Sequence, residues 1–157
     1  MPASSAGILM YRRTGRTFEV LLVHPGGPFW RNKDVGAWSI PKGEIEPGED
    51  PVEVAQREFL EELGSAAGQP LQFLGEILQR GGKRVLAFAV EGNLDAETIS
   101  SNTFEIEWPP KSGRRQSFPE VDRAQWFDLS NAKRKILASQ QPLLERLEVH
   151  LSSGKGA

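Results

Sequence analysis

Gly43-Glu44-Ile45-Glu46-Pro47-Gly48-Glu49-Asp50-Pro51-Val52-Glu53-Val54-Ala55-Gln56-Arg57-Glu58-Phe59-Leu60-Glu61-Glu62-Leu63-Gly64 is the stretch on which the reading of this chain turns. Its second half opens a helix by three rules at once: Asp50 as N-cap, Pro51 at the first helical position and Glu53 at N3. Gly64 closes it as the residue after the last turn. Val52, Ala55, Phe59 and Leu63 form an apolar stripe at helical spacing, so one face of this helix is expected to meet a core. Glu58, Glu61 and Glu62 fall at i, i+3 and i+4, on one arc of about 100° beside that stripe. Like charges so placed repel by ~0.2–0.5 kcal/mol per pair. They also lie near the C-terminal end, where the helix dipole is already negative. Arg57 is the one basic residue inside the helix. The sequence thus carries a local electrostatic penalty that a bound cation would remove. A solvated acidic face is the commoner fate of such a charge run. Oxygen donors on adjacent turns, with no thiolate or imidazole beside them, instead suit a hard cation such as Mg²⁺ or Mn²⁺.

Outward from the helix, the loop Pro41-Lys42-Gly43-Glu44-Ile45-Glu46-Pro47-Gly48-Glu49 is rigid for its size, holding two Gly and two Pro. Gly43 can bring a backbone carbonyl near the helix, and Lys42 can face a phosphate. Upstream, residues 6–12 and 17–24 read as strands around a Thr14-Gly15 turn, and Ala37-Trp38-Ser39-Ile40 as a short strand. Downstream, residues 71–79 and 83–90 read as a hairpin closed tightly by Gly81-Gly82. Phe104-Glu105-Ile106-Glu107-Trp108 alternates strictly and predicts a half-buried strand, followed by a basic loop over residues 109–115. A further strand is expected at 123–128. Ser130 is placed to cap a helix running to about residue 150, with Pro142 interrupting it or starting a second one. Residues 1–151 are expected to form a single domain and residues 152–157 a flexible tail.

Composition narrows the chemistry. The chain has 157 residues, 38% hydrophobic and 25% charged, the balance of one ordinary globular domain. Cys is absent, which excludes disulfides, thiolate metal sites and a cysteine nucleophile. The only two His, His24 and His150, cannot build a multi-histidine centre. The longest apolar run, Val85 to Val90, is far too short to span a membrane, and no signal segment opens the chain, so a cytoplasmic location is expected. The net charge of −2 argues against a nucleic-acid partner bound by bulk charge. That figure hides a gradient: between Glu44 and Glu62 eight acidic residues face one basic residue, a local charge of −7.

Gly43, five residues, Glu49, seven residues, Arg57-Glu58-Phe59, one residue, Glu61-Glu62, one residue, Gly64: this pattern resembles the signature of the Nudix hydrolases, which cleave a nucleoside diphosphate linked to another moiety. Every fixed position is present. Ser65 departs from the family's preference for an aliphatic residue, at a packing position rather than a chemical one. Trp38 and Pro41-Lys42-Gly43 before the box, and Glu120 with Trp126 after it, fit the wider family pattern. The resemblance implies an α+β Nudix fold, a three-layer α/β/α sandwich around a central mixed β-sheet. It implies Mg²⁺ as the cofactor, with Mn²⁺ as a substitute. Carried over, Glu58, Glu61, Glu62 and the Gly43 carbonyl are metal-ligand candidates, and Glu49 and Arg57 are the pair that braces loop against helix.

The resemblance leaves the general base open between a box glutamate such as Glu58 and a glutamate on a later loop. Glu120, six positions ahead of Trp126, is the later candidate and a further metal ligand; a surface Glu at a turn is the plain alternative. Glu105 and Glu107 are weaker rivals, because strand alternation already explains them. Lys42, Arg31 and Lys33 are candidates to hold phosphate oxygens. Trp30 is the candidate to stack a base, while Trp38 is read as core. The basic loop with Lys111, Arg114 and Arg115 is either a solvated turn or a polyphosphate contact. The expected activity is a pyrophosphohydrolase on a nucleotide or polyphosphate, with dinucleoside polyphosphates such as diadenosine tetraphosphate favoured. Nucleoside triphosphates, ADP-ribose, other nucleotide sugars and 5′-triphosphate RNA stay open, as does a nucleotide-sensing module without catalysis.

Overall fold

Two long strands rich in Ile, Leu and Val set the frame. In the computed structural model, which describes residues 3–154, they are β1 (Ser4–Thr14) and β2 (Thr17–Pro25), paired antiparallel from Met10↔Leu21 to Thr14↔Thr17. Their side chains alternate between two cores, as a strand covered on both faces must. Ile8, Met10, Leu21 and Val23 point to one core, with Val54, Ala55, Phe59 and Leu63 of helix α1 (Pro51–Leu63). Leu9, Tyr11, Val20 and Leu22 point to the other, with Trp38, Ile136, Leu143, Leu144 and Leu147. The sheet therefore lies between α1 on one side and α2 (Leu129–Lys135) and α3 (Gln141–Gly154) on the other, the expected three-layer arrangement. Each fully buried Leu, Ile or Phe in these layers contributes ~1.5–3 kcal/mol.

The sheet is mixed. After β3 (Lys42–Glu44) and α1 come β4 (Gln72–Leu78), β5 (Arg84–Glu91) and, later, β8 (Val121–Asp128), giving the order β4-β5-β1-β2-β8. β1 runs parallel to β5, and the other neighbours are antiparallel. One edge of β1 is shared. Its Ser5–Gly7 end pairs with β3, and its Met10–Thr14 end with β2. Gly7 makes that junction possible: a Cβ there would lie 2.6 Å from the Pro41 carbonyl oxygen. A second, two-stranded sheet, β6 (Thr103–Glu107) with β7 (Arg115–Pro119), stands apart as a hairpin.

Several expectations change in detail. Val54 is fully buried and Val52 only partly so, which rotates the apolar face of α1 toward the sheet. Residues 37–40 form isolated bridges, Val23↔Ser39 and Trp38↔Ile136, rather than a strand. Gly81-Gly82 does not close a two-residue hairpin: Arg80–Gly82 is a short 3₁₀ turn with Gly81 at φ 80°. Ser130 is not the cap of α2. Asp128 is, accepting a hydrogen bond from the Asn131 N–H. That helix ends at Lys135, and Pro142 sits in the first turn of a separate α3. α3 continues through Gly154, so residues 152–154 of the expected tail are helical, and the rest of it lies outside the described residues. Among the described residues no helix is long and apolar enough to cross a membrane.

Candidate active site

Helix α1 begins and ends where its sequence dictates. Pro51 occupies the first turn, Asp50 holds the extended N-cap conformation without a side-chain cap bond, and Gly64 takes φ 79° with its N–H donating to the Leu60 carbonyl. The orphan carbonyls of the last turn are met by a short strap. The Ser100 N–H donates to the Leu63 carbonyl and the Asn102 N–H to that of Glu61. The strap reaches on to the turn before β8, where the Glu120 N–H donates to the Asn102 carbonyl (2.9 Å) and the Val121 N–H to the Ser101 hydroxyl (3.0 Å). The Gly26 N–H in turn donates to the Glu120 carbonyl. Glu120 is thereby fixed relative to the end of α1.

The three box glutamates do not share one environment. Glu61 is exposed, Glu58 is partly covered and Glu62 is buried at 7% exposure. Burial pushes the Glu62 carboxyl up to about 8, and the negative charges of Glu58 and Glu120 push the same way. The Lys42 ammonium and backbone N–H offset that rise only in part. Glu58 is raised as well, by burial first and then by Glu61, with Arg57 opposing and Glu120 adding to it. Lys42 is lowered by burial first, while Glu62 and Glu58 act to raise it. Its ammonium thus lies within electrostatic reach of both carboxylates.

Gly43 explains itself in this setting. A Cβ at that position would lie 2.1 Å from the Glu58 carboxyl carbon and 2.2 Å from Oε1. The backbone of β3 and the Glu58 carboxylate therefore touch directly. Across the loop, the Arg57 guanidinium donates to Glu49 Oε2 at 2.6 Å, and Glu49 Oε1 accepts the Glu46 N–H at 2.8 Å. Arg57 Nη2 also stands 3.6 Å from Glu58 Oε2, so one guanidinium spans the loop carboxylate and a box carboxylate. The Arg57 hydrogen bond, and after it the Glu46 N–H, hold the Glu49 carboxyl below its usual range.

The donor set suits a hard divalent cation. It is all oxygen, it bears mutually repelling charges, and one member is too buried to ionise comfortably alone. Among the described residues no three Asp, Glu or His side chains already converge on one ligating point, so these carboxylates are close neighbours rather than a closed cage.

The other candidates have separate settings. Trp38 is core, 1% exposed, edge-on to His24 and Phe127, with its Nε1 donating to Asp34. Trp30 is 38% exposed and lines a cavity of about 360 Å³ together with Phe29, Phe104, Ile106 and Glu120. Arg31 and Lys33 are exposed on the same loop, and Lys33 lends its carbonyl to His24. Glu105 and Glu107 serve their own hairpin: Glu105 pairs with Arg115 and Glu107 accepts the Gly113 N–H. Lys111 and Arg114 are exposed in the turn between β6 and β7.

Sequence reasoning missed two features. Phe104 and Ile106 face the cavity by Glu120, a role their alternation hinted at but did not assign. His24 is fully buried, with Nδ1 at 2.9 Å from Asp122 Oδ1 and Nε2 at 2.7 Å from the Lys33 carbonyl oxygen. It fastens the 26–37 loop to the start of β8, and a lone His gave no signal of that.

The family model described as the NUDIX domain matches residues 1–147. This chain belongs to the NUDIX family. A curated relative, the RNA pyrophosphohydrolase of Erythrobacter litoralis, is 37% identical over 62 residues, 40% of this NUDIX chain and 34% of that protein. The matched part thus spans about a third of that relative's length. Among solved structures, a C. elegans Ap4A hydrolase binary complex superposes with a TM-score of 0.64 at 22% identity, covering 95% of this chain and 98% of that one. The NUDIX domain of Shewanella oneidensis NrtR, complexed with ADP ribose, superposes with a TM-score of 0.65 at 17% identity, covering 96% and 89%. At these identities the two structures bear on the fold, which they share with this NUDIX chain.

Proposed function

We propose that this NUDIX protein is a metal-dependent pyrophosphohydrolase that cleaves a nucleoside diphosphate linked to another moiety. The observation that carries the reading is the buried Glu62, whose charge is opposed by both Glu58 and Glu120 at the end of α1. Such a cluster is costly in the protein alone and is relieved by a cation. Glu58, Glu61, Glu62 and Glu120 and the Gly43 carbonyl hold Mg²⁺, for which Mn²⁺ substitutes. When bound, the cation neutralises diphosphate oxygens and the charge that develops on them during transfer. Glu120, fixed by the strap, takes the proton of the attacking water, with Glu58 as the alternative base. Arg57 and Glu49 keep the loop carbonyl and the Glu58 carboxylate in register.

Dinucleoside polyphosphates such as diadenosine tetraphosphate are the favoured substrates. The sequence around Trp38 to Gly43 and the Glu120-to-Trp126 spacing support this choice. The matched segment of an RNA pyrophosphohydrolase supports 5′-triphosphate RNA as the second reading. The test is turnover of diadenosine tetraphosphate, triphosphorylated RNA, ATP and ADP-ribose with Mg²⁺, products resolved by chromatography. Turnover of the first with loss in Glu62→Gln is expected; absence of turnover on all four would refute the enzyme and leave a sensing module.

A further inference from the structure

Gln140 is fully buried and is not explained by the carboxylate chemistry. It ends the 3₁₀ turn Ala138–Gln140, which joins α2 to α3. Its side-chain amide uses all of its hydrogen-bonding groups. Oε1 accepts the Ile40 N–H at 3.0 Å, while Nε2 donates to the Ser39 hydroxyl at 3.0 Å and to Gln79 Oε1 at 3.1 Å. A backbone N–H can only donate, so the Ile40 bond decides which end of the amide is the oxygen. A buried amide met on both ends is held in one orientation.

What this amide holds is the approach to β3. Ile40 is 1% exposed and is followed by Pro41, which has no N–H to offer. The isolated bridges upstream stop at Ser39, so the buried Ile40 N–H takes its acceptor from Gln140 instead of a strand. The Ser39 hydroxyl donates to the Ile40 carbonyl at 2.7 Å while accepting from Gln140. Both backbone groups of Ile40 therefore depend on the same amide. Further back, the Gly36 N–H donates to the Arg134 carbonyl, the Trp38 N–H to that of Lys135 and the Leu137 N–H to that of Trp38. Residues 36–40 are laid along the link between α2 and α3, and Gln140 is their last tie.

β3 is three residues long, and the contact of its Gly43 with the Glu58 carboxylate leaves no room for even a methyl group. So short a strand is clamped from its ends. Downstream, the Ile45 N–H donates to the Ser4 carbonyl at 2.8 Å; upstream, the Ile8 N–H donates to the Pro41 carbonyl at 3.2 Å and Ile40 is held by Gln140. Pro41 has a fixed φ, and packed interiors transmit strain, so a shift of Ile40 passes on to Gly43. Gln79 braces the amide from the opposite side. It is itself fixed, its N–H donating to the Lys83 carbonyl at 2.7 Å and its carbonyl accepting the Gly82 N–H at 3.1 Å.

We infer that Gln140 is a positioning residue of the carboxylate site: by holding Ile40 it sets where the Gly43 carbonyl stands against Glu58. The inference rests on the metal-dependent reading above and deepens it. Gln140 touches neither cation nor substrate and acts through the backbone of residues 40–43. Outer partners of this kind typically change metal affinity or activity by about 10–100-fold.

Three variants test it. Gln140→Met keeps the length of the side chain and removes all three bonds. Gln79→Met removes only the brace and leaves Ile40 paired. Leu151→Ala, in the same core on α3, is a destabilised control remote from residues 39–43. The rate on the fastest of the four substrates above is measured against Mg²⁺ concentration, below the Tm of each variant. Gln140→Met is expected to lower kcat and raise the Mg²⁺ needed for half-maximal rate by about 10–100-fold, and Gln79→Met to move both the same way by more than about twofold. Leu151→Ala lowers Tm and moves neither. Both values within about twofold of wild type in Gln79→Met and in Gln140→Met overturn the inference and leave the hydrolase reading intact; an equal Mg²⁺ shift in Leu151→Ala overturns it too. If Gln140→Met does not fold, Gln79→Met decides alone. A second measurement needs no turnover: the amide spectrum of the ¹⁵N-labelled chain without metal. A Gly43 signal that shifts in the Gln variants and stays in place in Leu151→Ala supports the inference even if the hydrolase reading fails. A Gly43 signal unmoved in the Gln variants overturns it.

Discussion

Replacing Gly43 by Ala isolates the contact between β3 and the Glu58 carboxylate. The added Cβ would stand 2.1 Å from the Glu58 carboxyl carbon, while ordinary contact begins at 3.4 Å, so one partner must retreat by about 1.3 Å. The strand cannot supply that movement, because Gly43 is paired with Ala6 in the register of β1. The helix cannot either, since Ala55 and Phe59 anchor α1 in a fully buried core. The displacement falls on the carboxylate, the flexible end of its side chain. Gly43 has no positive φ, so backbone strain does not enter. Stability is then expected to change little, with Tm within a few degrees of wild type by circular dichroism. Misplacing a reacting or ligating group by ~1 Å costs on the order of 100-fold in rate. Gly43→Ala should therefore lose about 100-fold in kcat on diadenosine tetraphosphate and require more Mg²⁺ for half-maximal rate. A variant with kcat within about twofold of wild type at equal Mg²⁺ would refute this account of Gly43 and of Glu58.

Other outcomes follow from the same geometry. Glu62, pushed up to about 8, folds at the cost of ionising in a buried place, and that cost appears as pH rises from the ordinary carboxyl range toward 8. In EDTA, Glu62→Gln should melt above wild type, by a margin that widens between pH 5 and pH 8; a constant margin would contradict it. Arg57→Ala removes a surface pair, so Tm should hardly move, yet kcat should fall about 10–100-fold because Glu49 and Glu58 lose their common partner. His24→Ala strands the Lys33 carbonyl and removes the tie to Asp122, costing about 1–3 kcal/mol or more in urea unfolding. An unchanged unfolding midpoint would show that the loop does not need that fastening.

Helix α1 was legible to the residue because its signals are local: a proline and an acidic cap at one end, a glycine at the other, and a stripe between. β1 and β2 were legible as strands from their apolar runs, although β1 extends two residues beyond the expected 6–12 at each end and β2 ends at Pro25 rather than 24. What local signals do not carry is pairing. Arg115-Gln116-Ser117-Phe118-Pro119 has no apolar alternation, and it is a strand because β6 lies beside it. The box glutamates share one arc but not one place on it: Glu62 falls about 20° from Ala55 on a helical wheel and is buried, while Glu61 lies at the far side of the arc and is exposed. Glu120 was found by its spacing from Trp126, but its closeness to the box depends on a strap more than 35 residues downstream of the helix. His24 and the Phe104–Ile106 wall depend on contacts across 74 to 98 positions, which no window of sequence displays.

The strap at Ser100–Asn102 separates two jobs that share one site. Asn102 and Glu120 are joined by a main-chain bond, the Val121 N–H adds a bond to the Ser101 hydroxyl, and residues 103–119 loop out from that neck and return to it. The stretch carries Phe104 and Ile106 but none of the box carboxylates. The link from α1 to Glu120 thus runs through the strap itself and not through the hairpin. The hairpin and the carboxylate end of α1 are in this way two separately closed pieces of the candidate site.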